Sequence, residues 1–375
     1  MPATHDRALD ALLRRGRLRA LEPRHGVDFA SNDYLGLANS SQLNAAVRAA
    51  LDRGVSIGSG GSRLLRGNDP EHEVLEAEAA KFFGAETALF FGGGFIANTA
   101  IFSTLPARGD LIVYDELIHA SAHDGMRLSK ADSVAARHND PQSVEDAIVA
   151  WRAGGGTGTP WIAVETLYSM DGDRAPLDAL IAIADAHDGC LVIDEAHATG
   201  VFGDGGRGLG CHLEGRANVI SLHTCGKALG VMGALVLAPR VMRDFLVNRA
   251  RSFIYATAPS PLIAATVRAA LELLQREPQR CTELHRKIAL VARELHVKTA
   301  HSTSGTHIQP IIIGNDVAAV ALADALKARG FDIRAIRPPT VPEGTARLRL
   351  TVTLNASDDD IRALIDSIVE LEARA

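Results

Sequence analysis

From about residue 71 to 255, short apolar runs alternate with longer stretches whose apolar positions recur every three to four residues. The short runs lie at 87–91, 110–114, 161–165, 190–194, 219–222 and 234–237. Each is strand-sized and has almost no wet positions, the pattern of a strand buried on both faces of a parallel sheet. The stretches at 141–151 and 177–187 read as amphipathic helices between them. This alternation predicts an α/β fold with a mainly parallel sheet, whose ligands sit beyond the carboxyl ends of the strands. Gly154-Gly-Gly-Thr-Gly-Thr159 reads as a surface turn joining a helix to a strand.

After Pro259-Ser-Pro261 the pattern changes. A helix is predicted over 262–275, then isolated strands at 309–313 and 346–354. The second alternates apolar and charged positions, which predicts one wet face in a smaller antiparallel sheet. The expected organisation is an N-terminal arm at 1–45, a large domain at 46–258 and a small α+β domain at 259–375. The Arg-rich segment 6–19 contains Asp6 and Asp10, which organelle transit peptides avoid, so it reads as a helix packed on the body of the protein.

Composition narrows the class. The 375 residues are 47% hydrophobic and 22% charged, as in an ordinary soluble enzyme. A formal net charge of −6 gives no reason to expect nucleic acid or an anionic membrane as partner. Cys190, Cys211, Cys225 and Cys281 form no C-x-x-C pair, which implies neither a zinc site nor a disulfide framework and suits a reducing cytoplasm. No apolar run approaches the ~20 residues of a membrane span.

The chemistry concentrates after the strands. Leu191-Val-Ile-Asp-Glu-Ala-His-Ala-Thr-Gly200 ends a strand at Asp194 and places His197 three residues on. Ser221-Leu-His-Thr-Cys-Gly-Lys-Ala-Leu-Gly230 is a Gly-punctuated loop with one lysine, Lys227. A lysine amine for a Schiff base and an aspartate to hold a ring nitrogen protonated are what pyridoxal phosphate (PLP) requires. Phe90-Phe-Gly-Gly-Gly-Phe-Ile-Ala97 runs from a strand through a Gly-rich turn into a helix, where backbone N–H groups hold an anion. The same residues read equally as a dinucleotide turn, Gly92-x-Gly94-x-x-Ala97, with Asp115 near the distance of a ribose contact. His119 and His123 have helical metal-pair spacing without a third ligand, so no metal is expected; the His119 ring could instead stack on a cofactor. Ser169 opens the mouth of another strand. Asp194-Glu-Ala-His197 spells a helicase box, but no P-loop accompanies it.

These motifs, in this order, resemble the α-oxoamine synthases, PLP enzymes of aminotransferase fold type I. The resemblance also rests on Ser31-Asn-Asp-Tyr-Leu-Gly-Leu37, Gly58-Ser-Gly-Gly-Ser-Arg63, Ser169-Met-Asp-Gly-Asp173 and Arg337-Pro-Pro-Thr-Val-Pro342, and spans nearly the whole chain. The Arg337-Pro-Pro-Thr340 form is most similar to the biotin-pathway branch, which condenses L-alanine with a pimeloyl thioester of coenzyme A or acyl carrier protein. Glycine-using and serine-using branches are the alternatives. The resemblance implies a large domain with a mainly parallel seven-stranded sheet, and a homodimer with its active site at the interface. It implies that Lys227 carries PLP, that Asp194 pairs with the ring nitrogen, that His197 and Ser169 meet the ring hydroxyl and that His119 stacks on the ring. Gly94, Phe95 and Thr224 would serve the phosphate, with Thr257 from a second subunit. Arg337 and Asn32 would take the amino-acid carboxylate, and Arg19 and Thr340 the acyl substrate. Ser62, where aminolaevulinate synthases carry Thr, would leave room for the alanine methyl. Two features depart from the pattern: the segment between Arg19 and Asn32 is short, and Glu195 stands where the biotin-pathway branch often has a second Asp.

Overall fold

The computed structural model describes residues 3–374 and divides into two compact units. The larger comprises 35–169 and 174–281. Its strands are β1 (Thr87–Phe91), β2 (Leu111–Asp115), β3 (Asp132–Ala136), β4 (Pro160–Glu165), β5 (Cys190–Asp194), β6 (Val219–Thr224) and β7 (Ala234–Ala238). Its principal helices are α1 (Ser41–Asp52), α2 (Pro70–Phe83), α3 (Gly94–Thr104), α4 (Ala120–Arg127), α5 (Pro141–Ala153), α6 (Leu177–Ala186), α7 (Arg240–Arg249) and α8 (Pro261–Arg276).

The strands form one seven-stranded sheet in the order β1-β7-β6-β5-β4-β2-β3. All pairings are parallel except those of β7, which runs against both β1 and β6. The apolar runs are continuous because alternate residues feed two cores. Trp161, Ala163, Val192, Ile220 and Leu222 pack on one side with Ile101 and Phe102 of α3 and Met126 of α4. Ile162, Val164, Leu191 and Ile193 pack on the other with Ile148 of α5 and Leu180 and Ile181 of α6. Strand β3, absent from the sequence-based expectation, is an edge strand with only Ala136 of its five residues buried. Local signals fix the helix ends. Asp69 and His72 form a capping box before α2, Pro70 takes its first turn, and Gly84 ends it at φ +87°.

The boundary expected at 258/259 falls inside the larger unit. Ser260 caps α8 and Pro261 occupies its first turn, so Pro259-Ser-Pro261 starts a helix within this unit. The smaller unit comprises 3–34, 170–173 and 282–374. It holds a three-stranded antiparallel sheet in the order Arg334–Ile336, Ala346–Thr351, Ile308–Gly314. Val27–Asp28 pairs separately with Phe331–Asp332. The expected wet face of the central strand is a correction: all six residues of Ala346–Thr351 are buried. Its charged side chains are paired rather than solvated. Arg347 bonds the Asp171 carboxylate, and Arg349 donates to Asn32 Oδ1 at 3.1 Å and Thr351 Oγ1 at 2.8 Å.

Candidate active site

Strands β1, β2, β4, β5 and β6 deliver polar residues at one end of the sheet. There they line a cavity of about 160 Å³. After β1 the glycine turn leads into α3, whose N-cap Gly93 offers no side-chain cap. The N–H groups of its first turn, at Gly94 and Phe95, therefore suit an anion. After β2, His119 is the N-cap of α4; its Nδ1 accepts from Ser121 N at 3.2 Å and lies 2.8 Å from Ser121 Oγ. Burial holds the His119 imidazole below its ordinary range, and Lys227 and His123 add to this against the pull of Asp194. His123 packs edge-on against Tyr114, with ring centroids 5.1 Å apart.

Asp194, the last residue of β5, is fixed on both oxygens. Its Oδ1 accepts from Ala196 N at 2.9 Å and its Oδ2 from Asn98 Nδ2 at 2.7 Å. Asn98, buried on α3, also donates to Ser121 Oγ at 3.0 Å. Asn98 thus ties the His119 side of the cavity to Asp194. The next residue, Glu195, faces away from the cavity. Its carboxylate accepts from Thr166 Oγ1, Leu209 N and Gly210 N, a backbone-holding role that suits the longer side chain of Glu. His197 Nε2 lies 2.7 Å from Lys227 Nζ.

Lys227 sits in the loop between β6 and β7. Both feet of that loop are tied: Cys225 N donates to Gly233 O at 2.9 Å and Val231 N to Cys225 O at 2.9 Å. Gly230 turns the loop at φ +67°, where an added Cβ would lie 2.4 Å from Ala38 N. Thr224, at the end of β6, faces Gly94 across the cavity.

The cavity thus brings together Gly94, Phe95, His119, Asp194, His197, Thr224 and Lys227 from the sequence expectation. It adds Asn98 and Glu165, which sequence reasoning passed over because their partners lie on other elements. Ser169 lies four residues beyond Glu165 and gives its N–H to that carboxyl. Ser62 and Thr257 stand in the larger unit outside the cavity lining, with Thr257 exposed. Arg19, Asn32, Arg337 and Thr340 belong to the smaller unit. There Arg19 Nη2 donates to Thr340 Oγ1 at 3.3 Å, and Arg337 donates to the Gly16 carbonyl. Asn32 Oδ1 also accepts from Tyr34 OH at 3.1 Å, beside its bond from the buried Arg349. Sequence alternation hid Arg349 by marking it as solvent-facing.

An amine, a carboxylate held by two donors, an imidazole at a helix start and an uncapped helix N-terminus converge here. That donor set fits a ligand with an aldehyde, a basic ring nitrogen and a phosphate. The sequence model described as aminotransferase class I and II matches residues 24–368. An 8-amino-7-oxononanoate synthase from Chromobacterium violaceum is 42% identical over 346 residues, covering 92% of this chain and 89% of that protein. Serine palmitoyltransferase from Sphingomonas wittichii superposes with a TM-score of 0.90 at 26% identity, covering 100% of this chain and 97% of the other. The 8-amino-7-oxononanoate synthase of Francisella tularensis superposes with a TM-score of 0.78 at 29% identity, covering 93% and 98%. Matched over nearly its whole length in sequence and in fold, the chain belongs to the class I and II aminotransferase family.

Proposed function

We propose that this chain is a PLP-dependent acyltransferase of biotin biosynthesis. It joins L-alanine to a pimeloyl thioester, of coenzyme A or acyl carrier protein, and releases 8-amino-7-oxononanoate, CO2 and the free thiol. The observation that carries this reading is the Lys227, His197 and Asp194 grouping in a chain 42% identical to a synthase of that name. When bound, PLP supplies an electron-accepting ring that stabilises the electron pair freed at the amino-acid Cα.

The residues of the chain do the rest. Lys227 would hold the cofactor through its amine and, as the free amine, would take the α-proton of alanine. Asp194, oriented by Asn98 and Ala196 N, keeps a proton on the ring nitrogen. His197 and Ser169 would serve the ring hydroxyl, and the His119 imidazole, whose proton affinity burial lowers, would stack on the ring. The first turn of α3 and Thr224 would hold the phosphate, joined by Thr257 of a second copy. Arg337 and Asn32 hold the alanine carboxylate, and the bond from Arg349 to Asn32 supports adding Arg349 to that group. Arg19 and Thr340 face the acyl chain, and Ser62 leaves space for one methyl. The alanine Cα bonds to the thioester carbonyl carbon, the C–S bond breaks, the former alanine carboxylate leaves as CO2, and Cα regains a proton.

A homodimer follows from the same reading, supported by exposed Ile57, Leu64, Leu65, Phe95, Met232 and Tyr255 in the larger unit. No helix among the described residues is long and apolar enough to cross a membrane. We place the protein in the cytoplasm, consistent with cysteines that carry thiols, one of which, Cys281, donates to the Val201 carbonyl. Incubating the PLP-loaded protein with alanine and pimeloyl-CoA should give a product with the mass of 8-amino-7-oxononanoate. A product formed from glycine or serine in preference would move the assignment to another branch.

A further inference from the structure

The catalytic residues named above leave one ionisable group of the cavity unused. Glu165 ends β4 as Asp194 ends β5, and the two are direct cross-strand partners in the parallel ladder. Both line the same cavity. Glu165 is only 2% exposed, and its Oε1 has no hydrogen-bond partner among the described residues. The groups that act on it electrostatically are Asp194 from β5, Asp115 from the end of β2 and Lys227 from the β6–β7 loop, with the Ser169 N–H beside it from the turn that follows β4. Two of the three charged neighbours are carboxylates. Glu195, the other acid at this end of β5, is bonded away at Thr166, Leu209 and Gly210.

An anion at Glu165 would be desolvated between like charges, and a buried oxygen left unmatched is costly. A carboxylic acid meets both constraints, because it is uncharged and carries a proton to donate. We propose that Glu165 is a further residue of the ligand site: a neutral carboxylic acid that donates a hydrogen bond to an acceptor atom of the bound cofactor, next to the anionic Asp194. Burial, reinforced by Asp194, pushes its carboxyl up to about 8, which keeps the proton in place at neutral pH. This rests on the PLP reading of the cavity and deepens it, by dividing the labour of two adjacent acids: one charged, one deliberately not.

The test uses PLP binding to the full-length apoprotein, read by visible absorbance across pH, in wild type, Glu165→Gln and Glu165→Leu. Gln keeps shape and a donor but cannot ionise; Leu removes the donor. Wild-type affinity should fall through a transition near pH 8 as the second acid ionises. Glu165→Gln should bind like wild type at pH 7 and lack that transition. Glu165→Leu should bind roughly ten- to a hundredfold more weakly, the range for an unmade buried hydrogen bond. An identical pH profile in Glu165→Gln, or wild-type affinity in Glu165→Leu, overturns the proposal. Failure of wild type to bind PLP would instead overturn the cofactor reading.

A second measurement is independent of PLP. The folded chain keeps the Glu165 proton that the unfolded chain loses near 4.5, so apoprotein stability should decline as pH rises from about 4.5 to about 8. Glu165→Gln should flatten that decline in urea midpoints. Equal slopes in the two proteins would show that Glu165 is not held neutral and sink the proposal, whatever the cavity binds.

Discussion

Asn98→Ala tests how the site is built more sharply than removal of any reacting group. Asn98 Nδ2 is the donor to Asp194 Oδ2, at 2.7 Å, and to Ser121 Oγ, at 3.0 Å, from a position only 3% exposed. Truncation to Ala leaves Asp194 with a single protein donor, the Ala196 N–H. A buried hydrogen bond to a charged group contributes about 1.5–3 kcal/mol. At about 1.4 kcal/mol per tenfold, the loss corresponds to roughly ten- to a hundredfold. Water entering beside the adjoining cavity would recover part of it, so the lower half of that range is expected. The weaker Ser121 contact is controlled by Ser121→Ala, which removes that partner and leaves Asp194 Oδ2 bonded. PLP affinity of the apoprotein and deuterium exchange at the alanine Cα should both fall in Asn98→Ala and stay near wild type in Ser121→Ala. If both quantities in Asn98→Ala remain within a factor of about two of wild type, Asn98 does not orient Asp194 and the account of the site's rigidity fails.

Borohydride reduction of the PLP-loaded protein, followed by peptide mapping, should mark Lys227, and Lys227→Ala should abolish the label; a label on another lysine removes Lys227 from the covalent role. Gly230→Ala should lower thermal stability and PLP retention together. A left-handed conformation costs Ala about 1–2 kcal/mol, and its Cβ meets the Ala38 backbone at 2.4 Å; an unchanged melting temperature would show that the loop adapts freely. His119 has a depressed affinity for protons in the folded state, so between its lowered value and the ordinary 6.5 the unfolded chain binds more protons. Stability should therefore drop as pH falls below about 6.5, and His119→Asn, which can still cap α4, should lose less; parallel pH curves for the two proteins would refute this.

The sheet was readable because its strands are buried on both faces, which leaves unbroken apolar runs at 161–165 and 190–194. The edge strand Asp132–Ala136 escaped for the complementary reason: its first four residues are exposed, and the strand opens on two polar positions instead of an unbroken apolar run. Pro259-Ser-Pro261 misled because a helix cap and a domain break use the same residues, and only the packing of the following helix separates them. Arg347 and Arg349 misled because alternation reports polarity, and polarity was mistaken for solvent; Asp171 and Asn32, far off in sequence, satisfy them instead. The cavity residues at strand ends and in the loops that follow, Asp194, His197, Thr224 and Lys227, stood out by local context alone. Asn98 and Glu165 did not, since each acquires its meaning from Asp194 on another element.

The reversed strand β7 has a consequence for turnover. A parallel crossover after β6 would leave the lysine loop tied to the sheet at one foot, with its other end on a distant helix. Reversal returns the chain to the same end of the sheet, so Lys227 hangs from a loop anchored at both Cys225 and Gly233. In the proposed reaction that amine would serve twice, holding the cofactor and acting as the base at the amino-acid Cα. With its pivot clamped on both sides, the amine would keep a high effective concentration in both roles, because little more than its own side-chain torsions must be searched. Turnover would then ask for side-chain rotation alone, with the loop backbone at rest.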